Sequence, residues 1–179
     1  MAAIFAFKCR SCDEIHEGSP SFAFRAPDAY ASLSAEDKAR MGSIDEDLCV
    51  ITREEGVDRF IRAVLEVPIH GVEDPFLWGV WVSVSEKSFD RYRGTLDAPV
   101  EGEGFFGWVA NRISLYPYDE NRPADVNLQL DGDRPKVVLH SAEEETDSLV
   151  IDQRDGISIQ RAQELAERAM HGISRRRER

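Results

Sequence analysis

Two long runs of alternating apolar residues, joined by a short loop, constrain the fold more than any other feature of the sequence. Every second residue of both runs is apolar: Ile61, Ala63, Leu65 and Val67 in DRFIRAVLEVPI, and Trp78, Val80, Val82 and Val84 in FLWGVWVSVS. Because successive side chains of a strand point to opposite faces, this pattern predicts two half-buried strands. The Gly/Pro linker HGVEDP favours an antiparallel hairpin in which residues 59–69 and 77–85 are neighbours.

Shorter segments on both sides of this hairpin predict further strands and helices. Strands are expected at residues 4–9, 21–27, 48–52, 124–130, 136–141 and 148–153, a helical turn at 27–33, and helices at 34–41, 86–94 and 159–171. Ser34 and Asp37 match the capping box of a helix start, and Gly172 follows the last helix. The sequence therefore predicts an α+β fold with an antiparallel sheet, helices on one side and an N-terminal zinc-knuckle-like turn.

The length of 179 residues suits one domain, which is large enough to fold around its own core without a metal. We expect residues 1–172 to form this single globular domain, with the knuckle in the N-terminal segment 4–25. Residues 173–179 are expected to form a basic, disordered tail.

The charge of the chain excludes some classes of partner. With 34 acidic and 22 basic residues, the net charge is −12, which disfavours binding to nucleic acid or to anionic membranes. No apolar run approaches the roughly 18 residues of a membrane span. Three cysteines are an odd number, which argues against a secreted disulfide framework. We expect a cytoplasmic protein with reduced thiols, for which a protein partner is the remaining macromolecular candidate.

The stretch KCRSCDEIH is the part of the sequence that most directly suggests chemistry. Cys9 and Cys12 have the C-x2-C spacing that lets two thiolates face one zinc ion from a tight turn, and His16 could add a third ligand. Asp13 follows the second cysteine, where such a turn usually needs a residue that tolerates positive φ. A redox pair and two unligated thiols are the alternatives, although the segment after Cys12 is too short for the helix that a redox pair needs.

The residue that would complete a zinc site is less well defined. No second C-x2-C exists, so the fourth ligand must come from a distant position: Cys49 first, then His70 and His140. Cys49 is equally well explained as a small buried residue on a strand. His70 lies near Glu73 and Asp74 and could be a base held by a carboxylate, but in a hairpin loop we expect it to have no chemical role.

The segment EGEGFFG at residues 101–107 matches the letters of G-x-G-x-x-G without its context. A dinucleotide site needs a strand before the glycines and a long helix after them, whereas Pro99 precedes them and Glu101 and Glu103 would repel a pyrophosphate. We therefore expect no nucleotide site here, and we expect residues 105–108 (FFGW) to contribute to the core.

Seven segments carry a likeness that runs from about Phe7 to Met170. They are CRSCDEIH at 9–16, DLCV at 47–50, FIRAVLEVPI at 60–69, WGVWVSVS at 78–85, FFGW at 105–108, RPKVVL at 134–139 and QRDGIS at 153–158. Together they resemble an uncharacterised bacterial family of unknown function, with a C-x-x-C-G-x-x-H start and a W-G-x-W-V-S core segment; Asp13 replaces the usual glycine. The resemblance implies no activity, but it implies a zinc site made of Cys9, Cys12, His16 and Cys49.

Two classes of function are consistent with these features. The first is a non-enzymatic interaction or regulatory module in which zinc has a structural role. The second is an enzyme, either hydrolytic at an open metal site or thiol-dependent at Cys9 and Cys12. We prefer the module, because the sequence contains no G-x-S-x-G, H-E-x-x-H or P-loop motif. The number of protein ligands distinguishes the two, since a catalytic zinc site keeps one position open.

Overall fold

The computed structural model describes residues 5–96, 103–117, 121–130 and 133–174, and ten strands and five helices fall within these ranges. The strands are β1 (Ala6–Lys8), β2 (Ile15–Glu17), β3 (Ser21–Ala23), β4 (Gly42–Ile44), β5 (Leu48–Thr52), β6 (Val57–Val67), β7 (Phe76–Ser83), β8 (Gly104–Val109), β9 (Arg122–Asn127) and β10 (Lys136–Leu139). The helices are α1 (Asp28–Ala31), α2 (Ala35–Met41), α3 (Glu86–Thr95), α4 (Ser148–Asp155) and α5 (Ile159–Ser174). The chain is thus a mixed α+β single domain.

The main sheet closes on itself as a five-stranded barrel. β6 to β10 follow one another as antiparallel neighbours, and a parallel pairing of β10 with β6 closes the ring. β3 extends the sheet from β7 in parallel, while β5 and β4 extend it from β6. The prediction of a simple antiparallel sheet is wrong in this respect. Alternation within each strand does not specify a pairing between β6 and β10, which are far apart in the sequence.

The central hairpin of the barrel is confirmed. β6 and β7 are antiparallel, and their register runs from Phe60 opposite Ser83 to Val67 opposite Phe76. The alternate apolar residues of both strands point into the main core, and their members from Ile61 to Val82 are almost completely buried. The alternation in the sequence therefore defined both the pairing and the face that is buried.

The opposite face of the same strands is covered by a second, smaller apolar cluster. Cys49, Ile51, Phe60 and Trp81 are buried there and pack against residues of α1 and α2. In contrast, α3, α4 and α5 contribute buried residues to the main core, which also contains Trp78. The helices therefore lie on both faces of the strands, so the prediction that they pack on one side is wrong.

All of the predicted helices are confirmed. α2 begins at the predicted cap, where Ser34 Oγ accepts a hydrogen bond from the backbone N–H of Asp37. α5 continues two residues beyond Gly172, and residues 175–179 of the predicted tail lie outside the described residues. None of the helices in the described ranges is long and apolar enough to span a membrane.

The segment predicted as a last strand, residues 148–153, forms α4 instead. The Asp147 side chain accepts a hydrogen bond from the backbone N–H of Leu149 and caps the helix, and Gly156 ends it with φ of +77°. Leu149 and Val150 are both buried. Such a short apolar run fits a buried strand or one turn of a buried helix equally well, so its periodicity could not distinguish them.

The segment FFGW lies in β8, and only part of it faces the core. Phe105 packs against the main core, whereas Phe106 and Trp108 are 46% and 44% exposed. The prediction that this segment belongs to the core is wrong for these two rings, because alternate side chains of a barrel strand point outward. Gly107 has a packing role: a Cβ at this position would lie 2.4 Å from a methyl group of Val82.

Candidate metal centre

The N-terminal hairpin places the two cysteines of the knuckle in a tight turn between β1 and β2. Phe7 and His16 are opposite each other in this two-stranded sheet. Beyond them the backbone N–H of Cys9 donates to the carbonyl of Glu14 at 2.8 Å, and that of Asp13 donates to the carbonyl of Cys9 at 3.1 Å. Asp13 has φ of +60°. The turn therefore requires positive φ after the second cysteine, as the sequence predicted.

Both sulfur atoms lie close to an imidazole nitrogen. Cys9 Sγ is 3.1 Å from Nε2 of His171, and Cys12 Sγ is 3.4 Å from Nε2 of His16. Two ligands with usual Zn–S and Zn–N bond lengths would be about 3.5 Å apart across a tetrahedral ion. The observed separations are therefore close to those of a bound zinc ion. Cys9 is buried and Cys12 is exposed.

Two overlapping groups of side chains among the described residues could hold a metal ion. In the first, the ligand atoms of Cys9, Cys12 and His171 lie within 4.8 Å of one another. In the second, the same holds for Cys12, Glu14 and His16. Cys12 belongs to both groups, so it connects them into one Cys/His cluster, which we define as Cys9, Cys12, His16 and His171.

Polar residues that recur every four positions along one face of helix α5 hold the hairpin next to His171. Glu167, one turn before His171, is 7% exposed and accepts hydrogen bonds from the backbone N and Nε of Arg10 at 2.9 and 3.0 Å. Gln163, one turn earlier, donates to the carbonyl of Lys8 at 3.2 Å. Hydrogen bonds from Gln163 and from Arg10 outweigh burial and lower the pKa of Glu167. The hairpin is therefore docked on α5 by charge-assisted hydrogen bonds.

The two knuckle cysteines differ in acidity. Burial raises the pKa of the Cys9 thiol, but hydrogen bonds with the backbone of Ser11 and Cys12 and with the side chains of His171 and Cys12 lower it to about 6. The backbone of Glu14 lowers the pKa of Cys12, yet burial and the neighbouring Cys9 raise it above its usual value overall. A thiolate next to a neutral thiol can bind a divalent ion with release of the second proton.

Cys49, which the family resemblance implies as a zinc ligand, lies in another part of the molecule. It pairs with Phe60 across β5 and β6 and is fully buried in the second apolar cluster. Burial, with a smaller effect of Asp45, raises its pKa to about 12. Within the described ranges, Cys49 is in neither of the two groups of side chains that could hold a metal ion. The structure places Cys12 close to Cys9 and, on its other side, to His16, whereas Cys49 is in neither group.

The other two candidate histidines also lie elsewhere. His70 Nε2 is 2.9 Å from the carbonyl oxygen of Asp155, at the end of α4. His140 Nε2 is 3.0 Å from a carboxylate oxygen of Asp125. Sequence reasoning missed His171, because its position 162 residues after Cys9 gives no local spacing signal. The signal that could have found it is the polar face of α5, where Gln163, Glu167 and His171 recur every four residues.

The thiols provide a direct test of these positions. In zinc-free native protein at pH 8, we expect iodoacetamide to alkylate Cys12 and to leave Cys49 unmodified, because a buried thiol with a raised pKa remains protonated and unreactive. Cys49 should react only after unfolding in urea, and mass spectrometry of tryptic peptides measures both. Labelling of Cys49 at the rate of Cys12 in the folded protein contradicts this assignment.

The fold and the cluster define the class of protein: a mixed α+β domain on a closed five-stranded barrel, with a Cys/His cluster near its N-terminus that could bind a metal. The chain belongs to the family described as an uncharacterized protein conserved in bacteria (DUF2199), whose family model matches residues 8–157. The resemblance to an uncharacterised bacterial family is thereby confirmed. The matched range includes Cys9, Cys12 and His16 and ends before His171. Comparisons with curated proteins and with solved structures gave no match.

Proposed function

We propose that the protein is a non-enzymatic interaction module of the bacterial cytoplasm, stabilised by a structural zinc ion in the Cys/His cluster. Cys9, Cys12 and His171 would supply three ligands and His16 the fourth. The observation that carries the proposal is the 3.1 Å approach of His171 Nε2 to Cys9 Sγ. An ion at this point would connect the first hairpin of the described chain to its last helix.

The chemistry of the donors favours zinc over harder cations. Two thiolates and two imidazoles form one of the usual tetrahedral sets of structural zinc, whereas magnesium and calcium require oxygen ligands. His16 is already 3.4 Å from Cys12. Closure of the site would require its imidazole, whose ring centroid now lies 5.3 Å from that of Phe7, to approach Cys9 and His171 as well.

An enzyme is the second candidate, and one observation favours it. His16 is not a member of the group formed by Cys9, Cys12 and His171, and three protein ligands with an open fourth position are typical of catalytic zinc. Against this, four surface grooves of about 270 to 490 Å³ are lined by other parts of the chain, and none of the four includes a residue of the cluster. The structural role therefore has the stronger support.

Metal analysis of variants tests the proposal. Wild-type protein purified without chelator should contain one zinc ion per chain, and Cys9→Ser and His171→Ala should lose it, because each removes a direct ligand. His16→Ala should weaken zinc binding at least about tenfold if the site is closed, and X-ray absorption should then show two sulfur and two nitrogen ligands in the wild type.

Two matched variants control for nonspecific loss of metal. Cys49→Ser and His140→Ala replace the same residue types outside the cluster and should retain full zinc occupancy. Absence of stoichiometric metal from the wild type overturns the zinc proposal. An oxygen ligand in the X-ray absorption spectrum, with zinc binding unchanged in His16→Ala, supports the enzyme instead.

A further inference from the structure

The outer surface of the barrel is covered on one side and exposed on the other. Over β5, β6 and β7 the second apolar cluster and helices α1 and α2 cover it. Over β8, β9 and β10 the outward-pointing side chains are accessible, with Phe106 46%, Trp108 44% and Val138 50% exposed. Large apolar side chains grouped on a surface often indicate an interaction site, whereas isolated ones need no explanation.

The strand register makes these side chains neighbours. Phe106 of β8 is opposite Asp125 of β9, and Asp125 is opposite Val138 of β10. Trp108 is opposite Pro123, whose carbonyl accepts a hydrogen bond from the backbone N–H of His140. Side chains directly opposite on one face of a sheet are about 5 Å apart at Cβ. We define the aromatic face as Phe106, Trp108, Asp125, Val138 and His140.

Three rings of this face form a cluster next to a carboxylate. The Phe106 ring centroid is 5.2 Å from that of Trp108, with an interplanar angle of 89°, and 5.5 Å from that of His140. Asp125 accepts from His140 Nε2 at 3.0 Å, and the Asp125 side chain is 61% exposed. Exposed aromatic ring faces attract cations, and a neighbouring carboxylate strengthens that attraction.

The surroundings of the aromatic face select the charge of its partner. On the β10 side, a groove of about 370 Å³ continues from His140 to Glu144 and Glu145. These two residues belong to the segment EEETD at 143–147, which we call the acidic loop. On the β7 side, a groove of about 310 Å³ is bordered by Phe106, Trp108 and Val84. The whole chain carries −12. This surface therefore repels phosphate and anionic peptides, and it offers carboxylates to a basic group and an apolar groove to an aliphatic one.

We propose that the aromatic face binds a positively charged peptide segment of another protein, with a lysine or arginine side chain on the Phe106 and Trp108 rings. Asp125 and the acidic loop would pair with flanking basic residues, and the groove beside Val84 would take an apolar side chain of the segment. The proposal deepens the interaction role proposed above by assigning its surface and the chemistry of its partner.

Tryptophan fluorescence of the full-length protein provides the test. Of the three tryptophans, Trp78 and Trp81 are 4% and 0% exposed, so Trp108 is the one that a surface ligand can contact. The probe is a synthetic hexapeptide of alternating lysine and leucine, with a hexapeptide of alternating glutamate and leucine as its counterpart. The lysine peptide should bind saturably and more weakly at high salt, and the glutamate peptide should not bind.

Variants separate this surface from general electrostatic attraction. By calorimetry, Trp108→Ala and Asp125→Asn should each weaken binding of the lysine peptide about tenfold. Ile159→Ala, which removes a side chain that is 45% exposed on α5, should leave it unchanged. Equal binding of both peptides, or unchanged binding in Trp108→Ala, overturns the proposal.

Other occupants of the aromatic face give distinct results. A wild-type dimer in sedimentation experiments that Trp108→Ala converts to monomer assigns the face to a second copy of this chain and overturns the proposal. Binding of oligothymidylate in preference to the lysine peptide assigns the face to single-stranded nucleic acid and also overturns the proposal. Zinc content is measured in every variant. If the peptide does not bind although zinc is present, only the assignment of the aromatic face is rejected. If the peptide binds but the wild type contains no stoichiometric zinc, only the structural zinc is rejected.

Discussion

Removal of zinc by a chelator should release the N-terminal hairpin and the last turns of α5, while the barrel stays folded. β1 and β2 form a sheet of their own that is not hydrogen-bonded to the barrel strands, and an isolated two-stranded hairpin is marginally stable in water. Its remaining attachments within the described chain include the burial of Phe5 and Phe7 and the hydrogen bonds of Arg10 and Lys8 to α5. An ion that joins Cys9 and Cys12 to His171 would strengthen this attachment.

The expected magnitude follows from linkage. At a free zinc concentration about 1,000 times the Kd, binding stabilises the closed state by about 4 kcal/mol relative to the open one. Amide exchange in the hairpin should therefore slow about a thousandfold on zinc addition, provided that exchange requires opening of the site. The barrel should not respond, because its core residues from Ile61 to Val82 are buried independently of the ion.

Hydrogen exchange measured by mass spectrometry decides this prediction. Peptides that cover residues 5–17 and 163–174 should become protected with zinc, and those that cover β6 and β7 should not change. Arg10→Ala is the matched control, because it removes the side-chain ion pair with Glu167 but no zinc ligand, and it leaves the hydrogen bond from the backbone N–H of residue 10 to Glu167 in place. The Arg10 side chain is 65% exposed, and the Glu167 carboxylate keeps its hydrogen bonds from the backbone N–H of residue 10 and from Gln163. We therefore expect the variant to lose about 1 kcal/mol and to keep the zinc response. Equal exchange of the hairpin with and without zinc contradicts the structural role of the ion.

The parts of the fold that depend on local patterns were predictable from sequence. The alternation from Ile61 to Val67 and from Trp78 to Val84 identified the central hairpin, and Ser34 identified the start of α2. Closure of the barrel was not predictable in the same way, because Lys136 and Val137 pair with Val64 and Leu65 in parallel. Neither alternation nor turn chemistry encodes such a long-range pairing, which depends on how the complete sheet twists and closes.

The candidate metal site, like the fold, was predictable from sequence only where it depends on local features. The spacing of Cys9 and Cys12 and the positive φ at Asp13 are local features, and the sequence predicted both. The imidazole next to Cys9 belongs to α5, and the docking of Glu167 on Arg10 brings it there. Cys49 was a reasonable candidate only while its surroundings were unknown. Its place in a closely packed apolar cluster now explains a cysteine at this position without any metal.

Replacement of Asp147 by Asn should produce the largest loss of global stability of the substitutions considered. Asp147 and Arg122 form a buried ion pair with side chains 2% and 5% exposed, and the guanidinium donates to both carboxylate oxygens, at 2.5 and 3.1 Å. The same carboxylate caps α4 through the N–H of Leu149 at 3.0 Å, and Arg122 also donates to the carbonyl of Tyr116 at 2.9 Å. The pair therefore joins β9, the start of α4 and the segment before β9.

The Asn variant keeps an oxygen for the helix cap but loses the negative charge opposite the buried guanidinium. Removing one member of a buried ion pair costs about 3–5 kcal/mol, because the remaining charge stays desolvated.

Asp155→Asn is the matched control: the side chains of Arg154 and Asp155 are 50% and 53% exposed, and loss of such a pair costs about 1 kcal/mol or less. Urea unfolding should show a lower midpoint with an unchanged m-value for Asp147→Asn, and little change for Asp155→Asn. Joint replacement by Arg122→Met and Asp147→Leu should recover only part of the lost stability. It removes the buried charge, but it also removes the hydrogen-bond partners that this pair gives to the N–H of Leu149 and the carbonyl of Tyr116. A loss below about 1 kcal/mol in Asp147→Asn would mean that water reaches this pair and that the carboxylate contributes only as a helix cap.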